Sequence, residues 1–211
     1  MIPEFDAPGH TASWGRAFSN ITVCVDVQPH SKYTAEPPAG QLDPLEPFTY
    51  KVMDGLIKEW SSQFQDNQVH IGGDEINFDC WKTSERLKDY IDHPSSREGY
   101  ESKLPPAIMN QDEKNQMKQF GGSGSQSGED KLLDLYLSKV LGMYLQQGKR
   151  PIVWEELALE HRVKLPESVI VHVWKNARNA KKSMSRPFPI LFFIRPQELF
   201  NWCVTPYSSE P

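Results

Sequence analysis

The amino-acid sequence predicts an α/β fold, with parallel strands joined by helical crossovers. Three observations point there. Four short apolar runs, at 2–6, 69–73, 151–155 and 169–174, are continuous rather than alternating, as in strands covered on both faces. Helical periodicity lies between them, over 48–64, 84–91 and 131–147. Each run also ends in acidic or aromatic residues: Asp6, Asp74-Glu75, Trp154-Glu155 and Trp174. In a parallel β/α barrel such ends share one rim, where active sites are built. A complete eight-fold barrel takes about 250 residues; this chain has 211.

In order along the chain, 2–6 reads as the end of a buried strand, broken by Ala7-Pro8-Gly9-His10. A polar, Pro-rich loop then runs to about Pro47. Over 48–64, Tyr50, Met53, Ile57, Trp60 and Phe64 fall three and four residues apart, on one face of a helix. Residues 69–73 form a short strand, and a Ser cap opens a helix over 84–91. From 93 to 130 periodicity is lost, and the Gly/Ser-rich stretch at 121–130 reads as a flexible loop. The clearest helix covers 131–147. Leu132, Leu133, Leu135, Tyr136, Val140, Met143 and Tyr144 give it a broad apolar face, and Gly148 is its stop.

Composition excludes some classes of partner. Lys plus Arg is 23 against 28 for Asp plus Glu, a net charge of −5, which speaks against a nucleic-acid binder. The longest apolar cluster, at 187–194, is far short of a membrane span. The start at Met1-Ile2-Pro3-Glu4 shows no signal peptide. Cys24, Cys80 and Cys203 include no CxxC pair, which argues against structural zinc. Asn20-Ile21-Thr22 is an N-glycosylation sequon. Composition fits an oxidising compartment and buried free thiols equally well.

Asp74 and Glu75 are the chemical centre. Gly72-Gly73 before them removes side-chain bulk and lets backbone approach closely. Neighbouring carboxylates do not both ionise at low cost, so one raised pKa is expected, as for an acid beside a fixed negative charge. Taken alone, the dipeptide reads as a solvated turn, and lone histidines such as His10 and His70 read as structural. Asp6, His10, His70 and Asp74 match no standard ligand spacing, so neither metal nor cofactor is expected.

The segments MIPEFDAPGHTASWG, HIGGDEINFDCW, PIVWEE and VIVHVW, in that order, together resemble glycoside hydrolase family 20, the β-N-acetylhexosaminidases. GQLDP at 40–44 is similar too, and the resemblance covers about residues 1–176. It implies an incomplete (β/α)8 TIM barrel with roughly the third to sixth strands present. It further implies retaining hydrolysis of terminal β-linked N-acetylglucosamine or N-acetylgalactosamine from glycans. The nucleophile is the substrate's own acetamido carbonyl, an exception to the two-carboxylate scheme. Glu75 is then the general acid and later the base. Asp74 orients the acetamido N–H and stabilises the oxazolinium, and His10 lies near the acid. Asp6 and His70 support or contact the site, and Trp154 and Trp174 line the sugar pocket. Trp14, Trp60 and Trp81 are read as packing, and Glu155-Glu156 as a secondary acidic pair. The resemblance also implies a Cys24–Cys80 disulfide, a lysosomal or secreted protein and a homodimer, a setting in which the sequon would carry glycosylation at Asn20.

Residues 1–176 are thus expected to form a partial catalytic domain with a flexible insertion at about 93–130. Residues 177–211 read as a tail outside the family pattern. The alternative function is an inactive fragment or sugar-binding remnant.

Overall fold

The computed structural model describes residues 2–109, 111–119, 125–185 and 188–192. The strands described are β1 (Thr22–Val23), β2 (Gln41–Leu42), β3 (Gln68–His70), β4 (Met117–Gln119), β5 (Arg150–Trp154), β6 (Lys164–Pro166), β7 (Ile170–Val173) and β8 (Ile190–Phe192). The helices are α1 (Trp14–Ala17), α2 (His30–Tyr33), α3 (Pro47–Gln63), α4 (Phe78–Trp81), α5 (Glu85–Asp92), α6 (Arg97–Glu101), α7 (Gln111–Asn115), α8 (Gly128–Gln146), α9 (Glu155–Leu159) and α10 (Ala177–Met184).

Four parallel strands form the central sheet in the order β3-β5-β7-β8. His70 pairs with Ile152, Trp154 with His172, and Val171 with Ile190. The expected first strand at 2–6 is reduced to one parallel bridge, Glu4 to His70. Even so, the His70 amide donates to the Pro3 carbonyl at 2.9 Å and the Phe5 amide to the His70 carbonyl at 3.0 Å. The segment therefore runs beside β3, and Asp6 arrives at the carboxyl end of the sheet. Pro151, Ile152 and Val153 are all buried, as a strand covered on both faces requires.

The long helices form where the apolar periodicity placed them, and identifiable groups fix their ends. Pro47 opens α3, and Glu46 Oε1 accepts the Phe48 amide at 3.1 Å. Ser127 Oγ accepts the Asp130 amide at 3.0 Å and starts α8. Gly148, at φ 68°, closes that helix. Ser84 stands at the N-cap of α5 but its side chain makes no cap bond. Leu132, Leu133, Tyr136 and Leu137 of α8 bury against a core that includes Tyr50, Met53 and Ile57 of α3. Each fully buried Leu contributes about 1.5–3 kcal/mol. Trp81 is fully buried, and Trp14 and Trp60 pack partly buried against the same core.

Two sequence expectations change. The stretch 93–130 is not simply a flexible insertion: a 3-10 turn at Pro94–Ser96 leads into α6, and β4 pairs antiparallel with β6. Arg97 holds this segment down by donating to the Tyr90 and Ile91 carbonyls. The β4–β6 pairing, such as Met117 with Pro166, is non-local, so no periodicity announces it. The expected Gly/Ser loop includes 121–124, which lie outside the described residues. Residues 177–192 also do not behave as a non-matching tail: α10 packs on β7, and β8 extends the sheet. Residues 193–211, with Cys203, lie outside the described residues.

Within the Pro-rich stretch before Pro47, β1 and β2 pair antiparallel. Cys24 and Cys80 are joined by a disulfide with Cα atoms 5.5 Å apart. Asn20 is exposed in the turn before β1. Among the described residues no helix is long and apolar enough to cross a membrane.

Candidate active site

Four polar side chains converge just past the carboxyl end of β3. The turn after this strand is made by Gly72 and Gly73, at φ 71° and 93°. A Cβ on Gly72 would lie 2.5 Å from Asp6 Cα, and one on Gly73 would lie 2.5 Å from Leu157 Cδ1. Glycine is therefore required both by conformation and by close approach. The Gly73 amide donates to Asp6 Oδ1 at 3.0 Å, and the Trp154 amide donates to the Gly72 carbonyl at 3.1 Å. Glu75 follows at φ 50°, and His10 also sits at φ 51°. Such left-handed conformations cost non-glycine residues about 1–3 kcal/mol each and cluster at functional sites.

His10 Nε2 is the hub of the cluster. It lies 3.4 Å from Glu75 Oε2, 3.8 Å from Asp6 Oδ2 and 3.9 Å from Asp74 Oδ1. Asp74 Oδ1 is buried, and no N–H of a described residue bonds to it. The raised carboxyl of the cluster is Asp6, pushed up to about 8 by burial first and then by the adjacent Asp74 carboxylate. Sequence reasoning did not single out Asp6 for a raised pKa; its position depends on the distant glycine turn that helps enclose it beside Asp74. The ligand atoms of Asp6, His10 and Asp74 lie within 4.8 Å of one another, close enough to share a cation, although the sequence carries no standard ligand spacing.

Beside this cluster the strand ends carry an aromatic group. His70 is buried, with Nδ1 3.1 Å from both Glu4 Oε1 and the Gly72 amide nitrogen. Protonated at Nδ1 it donates to Glu4; unprotonated there it accepts from Gly72. Its Nε2 is 3.2 Å from His172 Nδ1. Burial, and then His70, holds the His172 pKa below its ordinary value. The Trp154 ring stacks on His172 at 4.4 Å, and its Nε1 donates to Glu4 Oε1 at 3.0 Å. Hydrogen bonding to His70 lowers the Glu4 pKa against the effect of burial. Trp174 meets Trp154 edge-on at 6.2 Å.

The fold thus brings Asp6, His10, Asp74 and Glu75 into one cluster. It sets His70, Trp154 and Trp174 at adjacent strand ends, and the disulfide joins Cys24, in the segment between His10 and Asp74, to Cys80, five residues after Glu75. Sequence reasoning missed Glu4, His172 and Lys175 and treated Glu156 as secondary. His172 carried a signal: it is the polar residue between the buried Val171 and Val173 of β7.

Fold and site together define an α/β protein with an acid–histidine cluster and exposed tryptophan at the carboxyl ends of parallel strands. Residues 1–192 match the profile of glycosyl hydrolase family 20, catalytic domain. The chain belongs to that family. The match runs past residue 176 and takes in α10 and β8, in keeping with the sheet they extend. Among similar proteins, the beta-hexosaminidase subunit beta of Felis catus is 31% identical over 197 residues, covering 90% of this chain and 30% of the relative. The subunit beta of Homo sapiens is 30% identical, covering 84% of this chain and 26% of the relative. The chain therefore spans under a third of the length of these relatives. A family 20 exo-β-N-acetylglucosaminidase from Vibrio harveyi, solved in complex with N-acetylglucosamine, shares the fold. Its TM-score is 0.63 at 18% identity, over 90% of this chain and 25% of that one.

Proposed function

We propose that this chain carries out retaining hydrolysis of terminal β-linked N-acetylglucosamine or N-acetylgalactosamine from glycans, with the substrate's acetamido group as nucleophile. The observation that carries this reading is Asp74 Oδ1, a buried carboxylate oxygen with no hydrogen-bond partner among the described residues and with the His10 imidazole no nearer than 3.9 Å, next to the Glu75 acid. An acetamido N–H is the partner it suits. Glu75 donates a proton to the glycosidic oxygen as the C1–O bond breaks, and the acetamido carbonyl oxygen closes on C1. Asp74 holds the N–H and balances the positive oxazolinium that forms. Water then attacks C1 and gives a proton to the Glu75 carboxylate while the C1–O bond to the acetamido oxygen breaks and restores the acetamide, so two inversions at C1 give net retention. Orientation of the internal nucleophile by the protein makes the first step effectively unimolecular. His10, at 3.4 Å from Glu75, is the group placed to tune the acid.

The likeness to the beta-hexosaminidases supports the substrate class, and the Trp154–Trp174 pair offers faces for a pyranose. In the same reading the sheet and the segment at 3–5 are part of a (β/α)8 barrel, and the Cys24–Cys80 bond suits a lysosomal or secreted setting. The test is release of 4-nitrophenol from its N-acetyl-β-glucosaminide. Turnover falling to background in Glu75→Gln, with the β-anomer appearing first by proton NMR, supports the reading. An α-anomer first, or turnover unaffected by Glu75→Gln, overturns it. A second reading, a sugar-binding remnant, is favoured by the 40% exposure of Trp174. It expects binding of N-acetylglucosamine without turnover.

A further inference from the structure

We propose that Glu156, backed by Lys175, is a positioning residue that fixes the indole of Trp174 in the orientation in which it meets the sugar. The inference rests on the reading of these strand ends as a sugar site. Trp174 follows β7 and is 40% exposed, so burial alone does not hold its ring. Its Nε1 donates to both carboxylate oxygens of Glu156, at 3.2 Å each. Glu156 is the second residue of α9, directly behind β5, and only 2% exposed.

A buried carboxylate requires both charge balance and hydrogen-bond partners. Lys175 Nζ supplies the charge, 3.0 Å from Glu156 Oε1 and 2.6 Å from Glu160 Oε1. Its ammonium also stands 5.8 Å from the centroid of the Trp174 ring. Glu155 completes the arrangement, because its Oε1 accepts the Lys175 amide at 2.8 Å and pins the backbone beside Trp174. The short helix after one strand thus sets the ring presented by the next. An indole on a solvent-facing strand end has two torsions to sample. A forked bond to a fixed anion restricts both, which lowers the ordering cost when a sugar docks on the ring. An ion pair that only tied α9 to the end of β7 would not need the indole N–H, and that difference can be measured.

The test uses the full chain labelled with 5-fluorotryptophan, whose Trp174 fluorine signal is assigned by its loss in Trp174→Phe. Glu156→Leu is expected to shift and broaden that signal. It should also weaken N-acetylglucosamine binding on the order of tenfold, the scale of one hydrogen bond to a charged group, and raise KM more than it lowers kcat. Glu156→Gln keeps one oxygen for the indole and should lose less. In the Trp174→Phe background, Glu156→Leu should change binding less than twofold, since a phenyl ring has no N–H to hold. An unchanged Trp174 signal in Glu156→Leu overturns the proposal. So does an equal loss of binding in the Phe background, which would mark a merely structural role. If the folded wild type neither binds nor cleaves the sugar, the reading of the site fails instead, and the fluorine signal still decides whether Glu156 holds the ring.

Discussion

Gly73 donates its amide to Asp6 Oδ1 at 3.0 Å, and this bond joins residues 67 positions apart at the start of the acid turn. The extended segment ending in Asp6 and the turn carrying Asp74 and Glu75 are therefore one unit. Gly72 lies within this unit at φ 71°, where a Cβ would press on Asp6 Cα and Cγ at 2.5 and 2.6 Å. Gly72→Ala should destabilise the fold by on the order of 2–3 kcal/mol, from strain plus overlap. Urea unfolding monitored by circular dichroism checks it; a loss under 0.5 kcal/mol (about the scatter of neutral surface changes) would mean that the turn relaxes freely.

Asp6 gives a pH dependence of definite sign. Its pKa in the folded chain is about 8, against an ordinary 3.8. The folded state therefore holds this proton more tightly than the unfolded state does. Its contribution to stability is fully present below about pH 4 and is lost as pH rises toward 8. Asp6→Asn removes that loss, so the urea midpoint of the variant should fall less steeply between pH 4 and 8 than that of the wild type. Parallel midpoint curves would count against a raised Asp6.

Much of this site was readable in advance, and the limits have a physical pattern. The Asp74-Glu75 turn and the ends of β5 and β7 follow from local strings of apolar residues stopped by polar ones. The helices α3 and α8 follow from periodicity that is also local. What stayed hidden depends on packing between distant segments. Asp6 is the raised carboxyl because segments distant in sequence bury it beside Asp74, against the effect of the Gly73 amide, and Glu156 matters because α9 brings it to Trp174. Sequence reasoning missed β8 although it lies in the apolar cluster at 187–194, because Pro187 and Pro189 interrupt that run and only pairing with β7 defines the strand.

Asp74→Asn tests charge apart from hydrogen bonding. The amide keeps an oxygen that can accept an acetamido N–H but loses the negative charge that faces the oxazolinium. Turnover should fall on the order of 100- to 1,000-fold, the usual cost of losing one preorganised electrostatic group. Binding of N-acetylglucosamine should change much less. Steady-state kinetics beside calorimetric titration separates the two, and equal losses in both would assign Asp74 a role in binding only.

The Cys24–Cys80 bond bridges a sequence separation of 56 residues and ties the segment before β2 to α4 just beyond the acid turn. Cys24→Ser should lower stability by about 2–5 kcal/mol. Reductant should then lower the wild-type urea midpoint and leave that of the variant in place. An effect of reductant on both would trace to another cause.

Across the sheet, position follows birth order. The segment at 3–5 lies beside β3, then come β5, β7 and β8, so each new sheet strand joins at the edge left by the one before. On a ribosome, the docking surface for every strand is already synthesised when that strand emerges. Asp6 and the Asp74-Glu75 turn can be in place before Trp154, and Trp154 before Trp174. This strand order permits the site to assemble in one direction, with its aromatic wall as the last part.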